Sequence, residues 1–250
     1  MRFSFVSIFP ELIQSNLLHG VVGQALESGL FSVETVSLRD YTTGVHKAVD
    51  DRPYGGGDGM VMTVPPLEKA WQSCHQKNSH TIYLSPQGKP LTQARVKALT
   101  QKEHLILICG RYSGVDERFL QSHVDEEVSV GDFIVSGGEL PALLLMDAIV
   151  RYIPGVLGHE CSAQEDSFSA SSLLEAPLFT RPEEILSFKV PEVLLSGHHK
   201  KIHQWRQDVA LLRTYKRRPD LLTEDHKSQI EGARERLKSM GEEERELLGL

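Results

Sequence analysis

Ser129-Val-Gly-Asp-Phe-Ile-Val-Ser-Gly-Gly-Glu-Leu-Pro141 is the stretch on which the fold turns. A β-branched run breaks into Ser136-Gly137-Gly138, and an apolar, helix-patterned segment follows at once. That order predicts strand, tight loop and helix. The paired glycines carry no Cβ, so backbone can close on a ligand there. Two further glycine-bearing loops follow strand-like runs upstream: Ser85-Pro-Gln-Gly88 after Thr81–Leu84, and Gly110-Arg-Tyr-Ser-Gly114 after His104–Ile108. Ordinary turn chemistry explains any one of them. Together they predict one pocket, because ligands of α/β sheets sit at strand carboxyl ends. Backbone amides with Leu84, Pro86, Tyr112, Val130, Ile134, Val135 and Leu140 would suit an adenine-bearing, mostly uncharged ligand.

Around these loops, residues 1–158 alternate strand-like and helix-like stretches, which predicts an α/β domain. Strands are expected at Arg2–Ile8, Phe31–Ser37, Thr81–Leu84, His104–Ile108, Glu126–Val130 and Phe133–Val135. Helices are expected at Glu11–Leu18, Val21–Ser28, Pro65–Gln76, Gln93–Thr100 and Glu139–Tyr152, with Thr92 as an N-cap. Residues 171–250 read as a helical domain, with Ile202, Trp205, Val209 and Leu212 at helical spacing. The small and polar residues of 159–170 read as a mobile interdomain linker.

Composition narrows the class. The chain has 250 residues, 40% hydrophobic and 24% charged, which suits a soluble globular protein with a real core. Cys74, Cys109 and Cys161 lie far apart, which argues against disulfides and a cysteine zinc site and fits a reducing cytoplasm. The apolar start is too short for a signal peptide, is interrupted by Pro10 and reads as a first strand. No uncharged run approaches membrane length, so no membrane partner is expected. The formal net charge of -7 argues against a nucleic-acid partner, but its distribution reverses that argument. From His198 to Arg218, Lys200, Lys201, Arg206, Arg213, Lys216, Arg217 and Arg218 face one acid, Asp208. A local basic patch counts for more than the sum in phosphate contact.

Other residues carry chemistry in more than one reading. Asp50-Asp-Arg-Pro-Tyr-Gly-Gly-Gly-Asp-Gly59 is too glycine-rich for a stable helix or strand. It is either a long flexible loop or one that closes over substrate or phosphate, with Asp50, Arg52 and Gly59 as candidate RNA contacts. It is no Walker A and lacks G-x-G-x-x-G spacing, so nucleotide hydrolysis and dinucleotide binding lose support. Asp166 is either a helix N-cap or a carboxylate placed for proton abstraction. Arg151 either complements a helix dipole or holds an oxygen that gains negative charge. His199 and His203 stand at i and i+4, but Lys200 follows His199, so the metalloprotease motif is absent and no metal site is expected. His198, His199, Lys200, Lys201, Arg217 and Arg218 read as a helix face contacting RNA phosphates, against a merely solvated basic face.

These stretches resemble the bacterial tRNA (guanine-N1)-methyltransferases of the TrmD type. The resemblance runs through nearly the whole chain: Ile8-Phe-Pro-Glu11, Asp51-Arg-Pro-Tyr-Gly-Gly-Gly57, Tyr83-Leu-Ser-Pro-Gln-Gly88, Gly110-Arg-Tyr112, Gly114-Val-Asp-Glu-Arg118, Gly131-Asp-Phe133, Ser136-Gly-Gly-Glu-Leu140, Pro154-Gly-Val-Leu-Gly158, Asp166-Ser-Phe168, Thr180-Arg-Pro182 and Arg217-Arg-Pro-Asp220. It implies a SPOUT-type α/β domain with a parallel sheet and a deep trefoil knot, a small helical C-terminal domain, and an obligate homodimer with the active site at its interface. It implies S-adenosylmethionine held by Leu84, Ser85, Pro86, Gly110, Tyr112, Gly114, Val130, Gly131, Asp132, Phe133, Ile134, Val135, Gly137 and Gly138. The implied substrate is guanine 37 of tRNA, methylated on N1, with Asp166 as general base and Arg151 as partner of O6. Magnesium would assist either tRNA shape or the active site. The family usually has Glu where this chain has Ser113. A SPOUT enzyme with another RNA target, and a non-catalytic RNA-binding module, are the alternatives.

Overall fold

The computed structural model describes residues 1–42, 47–158, 166–169 and 172–250, which divide into two compact units, 1–160 and 161–250. The first is a three-layer α/β unit. Its sheet is wholly parallel, in the order β2-β1-β6-β5-β7, with β1 Arg2–Ser7, β2 Ser32–Ser37, β5 Ser79–Pro90, β6 His104–Ile108 and β7 Glu126–Ser129. The central β6, His-Leu-Ile-Leu-Ile, is buried along its whole length, as a strand covered on both faces must be. Leu105 and Leu107 point into one core with Phe3 and Phe5; Ile106 and Ile108 point into the other with Val6. This alternation is the two-residue period of a strand.

The first core is covered by α1 (Pro10–Asn16), α2 (Gly20–Glu27), α4 (Gln93–Leu99) and α6 (Glu139–Val150). The second is covered by α3 (Val64–Cys74) and α5 (Glu117–His123). Thr92 caps α4 as expected, its side chain accepting from Arg95 N at 3.2 Å. Helix α5 was not expected; Asp116 caps it, accepting from Arg118 N at 3.0 Å.

Three expected elements of this unit need correction. Phe133–Val135 is no strand: it has no ladder partner, and its three side chains are exposed. Strand β5 does not stop at Leu84. It bulges between Leu84 and Lys89, both registered on Val128, and continues to Pro90. The glycine-rich stretch is not all loop, since Asp50–Asp51 (β3) and Val61–Met62 (β4) pair antiparallel and pin its ends.

In the second unit, residues 172–183 contain no helix, and a hairpin of β8 (Glu184–Ile185) and β9 (Phe188–Lys189) follows. Among the described residues of this unit, helices occupy the remainder: α7 (Glu192–Leu195), α8 (His199–Arg217), α9 (Glu224–Arg236) and α10 (Glu242–Leu248). Trp205 and Val209 of α8 anchor its core with Leu237 and Leu248. Asp208 is buried beside them and receives Arg236 through two nitrogens, at 2.9 and 2.7 Å. Most of the stretch read as a linker, 159–165 and 170, lies outside the described residues.

Candidate functional site

The three glycine-bearing segments, the loops after β6 and β7 and the bulge within β5 that lies between those strands, converge on one cavity of about 240 Å³. Each loop has a local cause. In the β5 bulge, Ser85 Oγ accepts from Gln87 N at 3.1 Å, and Gly88 passes so close to β7 that a Cβ there would lie 2.4 Å from Val128 N. After β6, Gly110 runs under the Tyr83 ring, Tyr112 adopts a left-handed φ of 59°, and Gly114 has φ 120°. A non-glycine residue at positive φ is a strained conformation of the kind that collects at ligand sites. After β7, Ser129 Oγ donates to Gly131 O at 3.1 Å and turns the chain sharply.

The cavity gathers Leu84, Ser85, Pro86, Gly110, Tyr112, Gly114, Val130, Gly131, Phe133, Ile134, Val135, Gly137 and Gly138. Asp132, expected among them, is exposed and does not line it. The walls are mostly backbone and apolar side chains. Tyr83 joins them, and burial, helped by the nearby Glu127 charge, raises its phenol above its usual range, so it stays protonated.

The sequence pattern gave no weight to Arg111, which sits between Gly110 and Tyr112 and is the one Lys or Arg of the lining among the described residues. Its Nε donates to Glu139 Oε2 at 2.9 Å, and its Nη1 donates to Ser136 O at 3.1 Å. Glu139 is fully buried, and its other oxygen accepts from Ser7 Oγ at 2.7 Å. The only signal for this pair in the sequence was a charge opening a mainly apolar helix.

Ser113 also lines the cavity, and its N donates to Met60 O at 2.9 Å, next to Gly59. Gly59 has φ 97°, and a Cβ on it would come within 2.2 Å of Ser113 Oγ. Asp50 is half-buried in β3, and Arg52 is exposed just after it. Arg52 and Tyr54 line a second cavity of about 810 Å³ with Lys69 and Arg118.

Arg151 is the half-buried C-cap of α6. Asp166 begins no helix among the described residues; it opens a turn in which Ser169 N donates to its carbonyl at 3.2 Å. The helix-cap reading of Asp166 therefore has no helix to cap among the described residues.

The candidate RNA-contacting residues of the second unit lie at the two ends of α8, with Arg206, exposed, and Arg213, half-buried, between them. His198 caps α8, and His199, Lys200 and Lys201 fill its first turn, all exposed. Arg217 and Arg218 lie at its other end, about 27 Å away for a helix of this length. Cations in a first turn oppose the helix dipole, so helix stability does not account for them. Arg218 is held by Asp220 at 2.7 Å. Among the described residues no group of three or more His, Cys, Asp or Glu gathers as a metal site, and no helix is long and apolar enough to cross a membrane.

The family described as tRNA (Guanine-1)-methyltransferase TrmD matches residues 1–224. A tRNA (guanine-N(1)-)-methyltransferase of Marinomonas sp. is 54% identical over 224 residues, 89% of this chain and 89% of the relative. Proteins of the same name from Hydrogenovibrio crunogenus and Vibrio vulnificus are 51% and 53% identical over 226 and 225 residues, 89% of this chain in both cases and 95% and 90% of theirs.

Proposed function

The chain belongs to the TrmD family of tRNA (guanine-1)-methyltransferases, and we propose that it transfers the methyl group of S-adenosylmethionine to N1 of guanine 37, just 3′ of the tRNA anticodon, in the cytoplasm. One observation carries the reading: three glycine-bearing segments on adjacent strands enclose a single cavity in a chain 51–54% identical to enzymes of that name.

The cavity fits such a donor. Its backbone-rich, apolar walls suit an adenosine, and Gly110, Gly137 and Gly138 let the Tyr83 ring, the Arg111 side chain and the Cys109–Gly110 backbone pack directly against those walls. The residues that would hold it are Leu84 to Pro86, Gly110 to Gly114, Val130, Gly131 and Phe133 to Gly138. When bound, the donor supplies a methyl group on a positively charged sulfur, which leaves readily. The protein's own task is therefore at the guanine, whose N1 is a poor nucleophile while it keeps its proton. Asp166 accepts that proton. Aspartate is a weak base, with a reference pKa of about 3.9, so it needs help. Arg151 supplies it by holding O6, where negative charge collects as N1 loses its hydrogen.

Two finer features belong to the same reading. The threading of a trefoil knot needs backbone segments to cross at close range, and the glycine contacts of Gly88 with β7 and of Gly138 with Cys109–Gly110 allow that. A homodimer would cover Leu140 and Leu144 of α6, exposed by 60 and 50%, and Leu12 of α1, which packs against α6. The second unit, with its exposed cations on α8, binds the tRNA. The test is incubation of the purified chain with labelled S-adenosylmethionine and tRNA transcripts carrying G or A at position 37. Label on N1 of G37 alone is expected; label elsewhere, or none, overturns the reading.

A further inference from the structure

The loop from 130 to 138 has little of its own to hold it. Ile134 is 81% exposed and Phe133 57%. Among the described residues, 132–137 make one hydrogen bond to another segment, the bond from Arg111 Nη1 to Ser136 O. Arg111 is in turn fixed by Glu139 and lies over the Phe9 ring, 4.9 Å from its centre. Glu139 is buried at the start of α6, where the helix N-terminus favours its charge, and Ser7 at the end of β1 completes its coordination. One guanidinium thus joins the end of β1, the loop after β6 and the loop after β7.

We infer that the Arg111–Glu139 pair is a positioning device that holds the 131–138 loop in its binding shape before the methyl donor arrives. It thereby sets affinity for the donor and leaves affinity for tRNA alone; this rests on the donor's assignment to the cavity. A loop already ordered forfeits less conformational freedom when it closes on a ligand, and that saving appears as affinity. The bond from Nη1 to Ser136 O ties the ion pair to the loop itself.

Glu139→Gln keeps the side chain's size and an acceptor for Ser7 but sets an amide donor against Arg111. Arg111→Lys keeps the charge, but a single ammonium lacks the fork that spans Glu139 and Ser136. Ser7→Ala removes only the third contact. Calorimetric titration of the full chain with S-adenosylmethionine and steady-state kinetics with tRNA read the result. Glu139→Gln and Arg111→Lys are expected to weaken donor binding by about tenfold or more and raise its KM alike, with tRNA KM within about twofold. Ser7→Ala should bind the donor within about threefold of the unmodified chain. Folded variants that bind the donor within about twofold of normal overturn the inference. So does a lowered kcat with both KM values unchanged, the mark of a reduced folded fraction. If Glu139→Gln does not fold, Arg111→Lys decides by the same criteria. Failure of the unmodified chain to take up any donor strikes the proposed function itself, a different result from failure of the variants to differ.

Discussion

The Gly138 amide donates to the Gly110 carbonyl at 2.8 Å, and the two backbones lie so close that a Cβ on Gly138 would stand 2.8 Å from both Cys109 Cα and Gly110 N. The φ of Gly138 is −77°, which any residue adopts, so crowding alone requires glycine. Gly138→Ala should therefore destabilise the first unit by about 1–3 kcal/mol, the usual cost of overpacking. The urea midpoint measures it, and donor affinity should fall with it because the cavity wall moves. A midpoint unchanged from the parent's would show that the backbones can separate freely.

The catalytic assignment predicts a split between binding and turnover. Asp166→Ala should lower the single-turnover rate by about 10²–10⁴, the usual worth of a general base. Arg151→Ala should cost about 3–4 kcal/mol in transition-state stabilisation. Both should bind S-adenosylmethionine normally by calorimetry. A near-normal single-turnover rate for the Asp166 variant removes it from the role.

The first-turn cations of α8 predict a salt effect. Removing a cation that neutralises one phosphate should reduce the slope of log affinity against log salt by about 1. Lys200→Ala with Lys201→Ala should flatten the slope for tRNA and leave donor binding unchanged. An identical slope in the double variant would place the phosphates elsewhere.

Stability should depend on pH through His104. It is buried between Ser4 Oγ, 2.9 Å from Nε2, and Ser79 Oγ, 2.7 Å from Nδ1. Burial first, and the Arg2 charge second, hold its pKa below the ordinary 6.5. Its folded pKa is thus the lower one: its contribution is complete above about 6.5 and is lost as pH falls through the folded value. The slope is at most about 1.4 kcal/mol per pH unit for one proton. His104→Asn should remove that component from urea midpoints taken between pH 7.5 and 5. Parallel curves for parent and variant would assign the slope to other groups.

The strands and their loops were legible in the sequence because each is a local pattern. An apolar run followed by glycine marks where a strand ends or breaks, wherever the sheet lies, and three such marks sufficed to locate the cavity. What was missed depends on distance or brevity. Arg111 and Glu139 are 28 positions apart, and nothing local says that they meet. Helix α5 spans seven residues and offers too few turns for a period to show. The β3–β4 pair is two residues long and hides in a glycine-rich stretch whose composition argues against strands. The extended segment at 172–183 was absorbed into a helical reading because the helices after it dominate the pattern. The run Phe133–Val135 has strand-forming side chains, yet it falls beyond the last ladder position, and tertiary placement overrode propensity.

The bulge in β5 has a consequence for inhibitor discovery. Because Leu84 and Lys89 share one rung on Val128, residues 85–88 leave the sheet and return to it without shifting the strands beside them. A compound seated against that excursion cannot gain room by pushing it outward, since both of its feet are stitched into the middle of the ladder. Chemical series against this protein should therefore gain potency by matching a preset mould, and bulk added toward 85–88 should be rejected rather than accommodated.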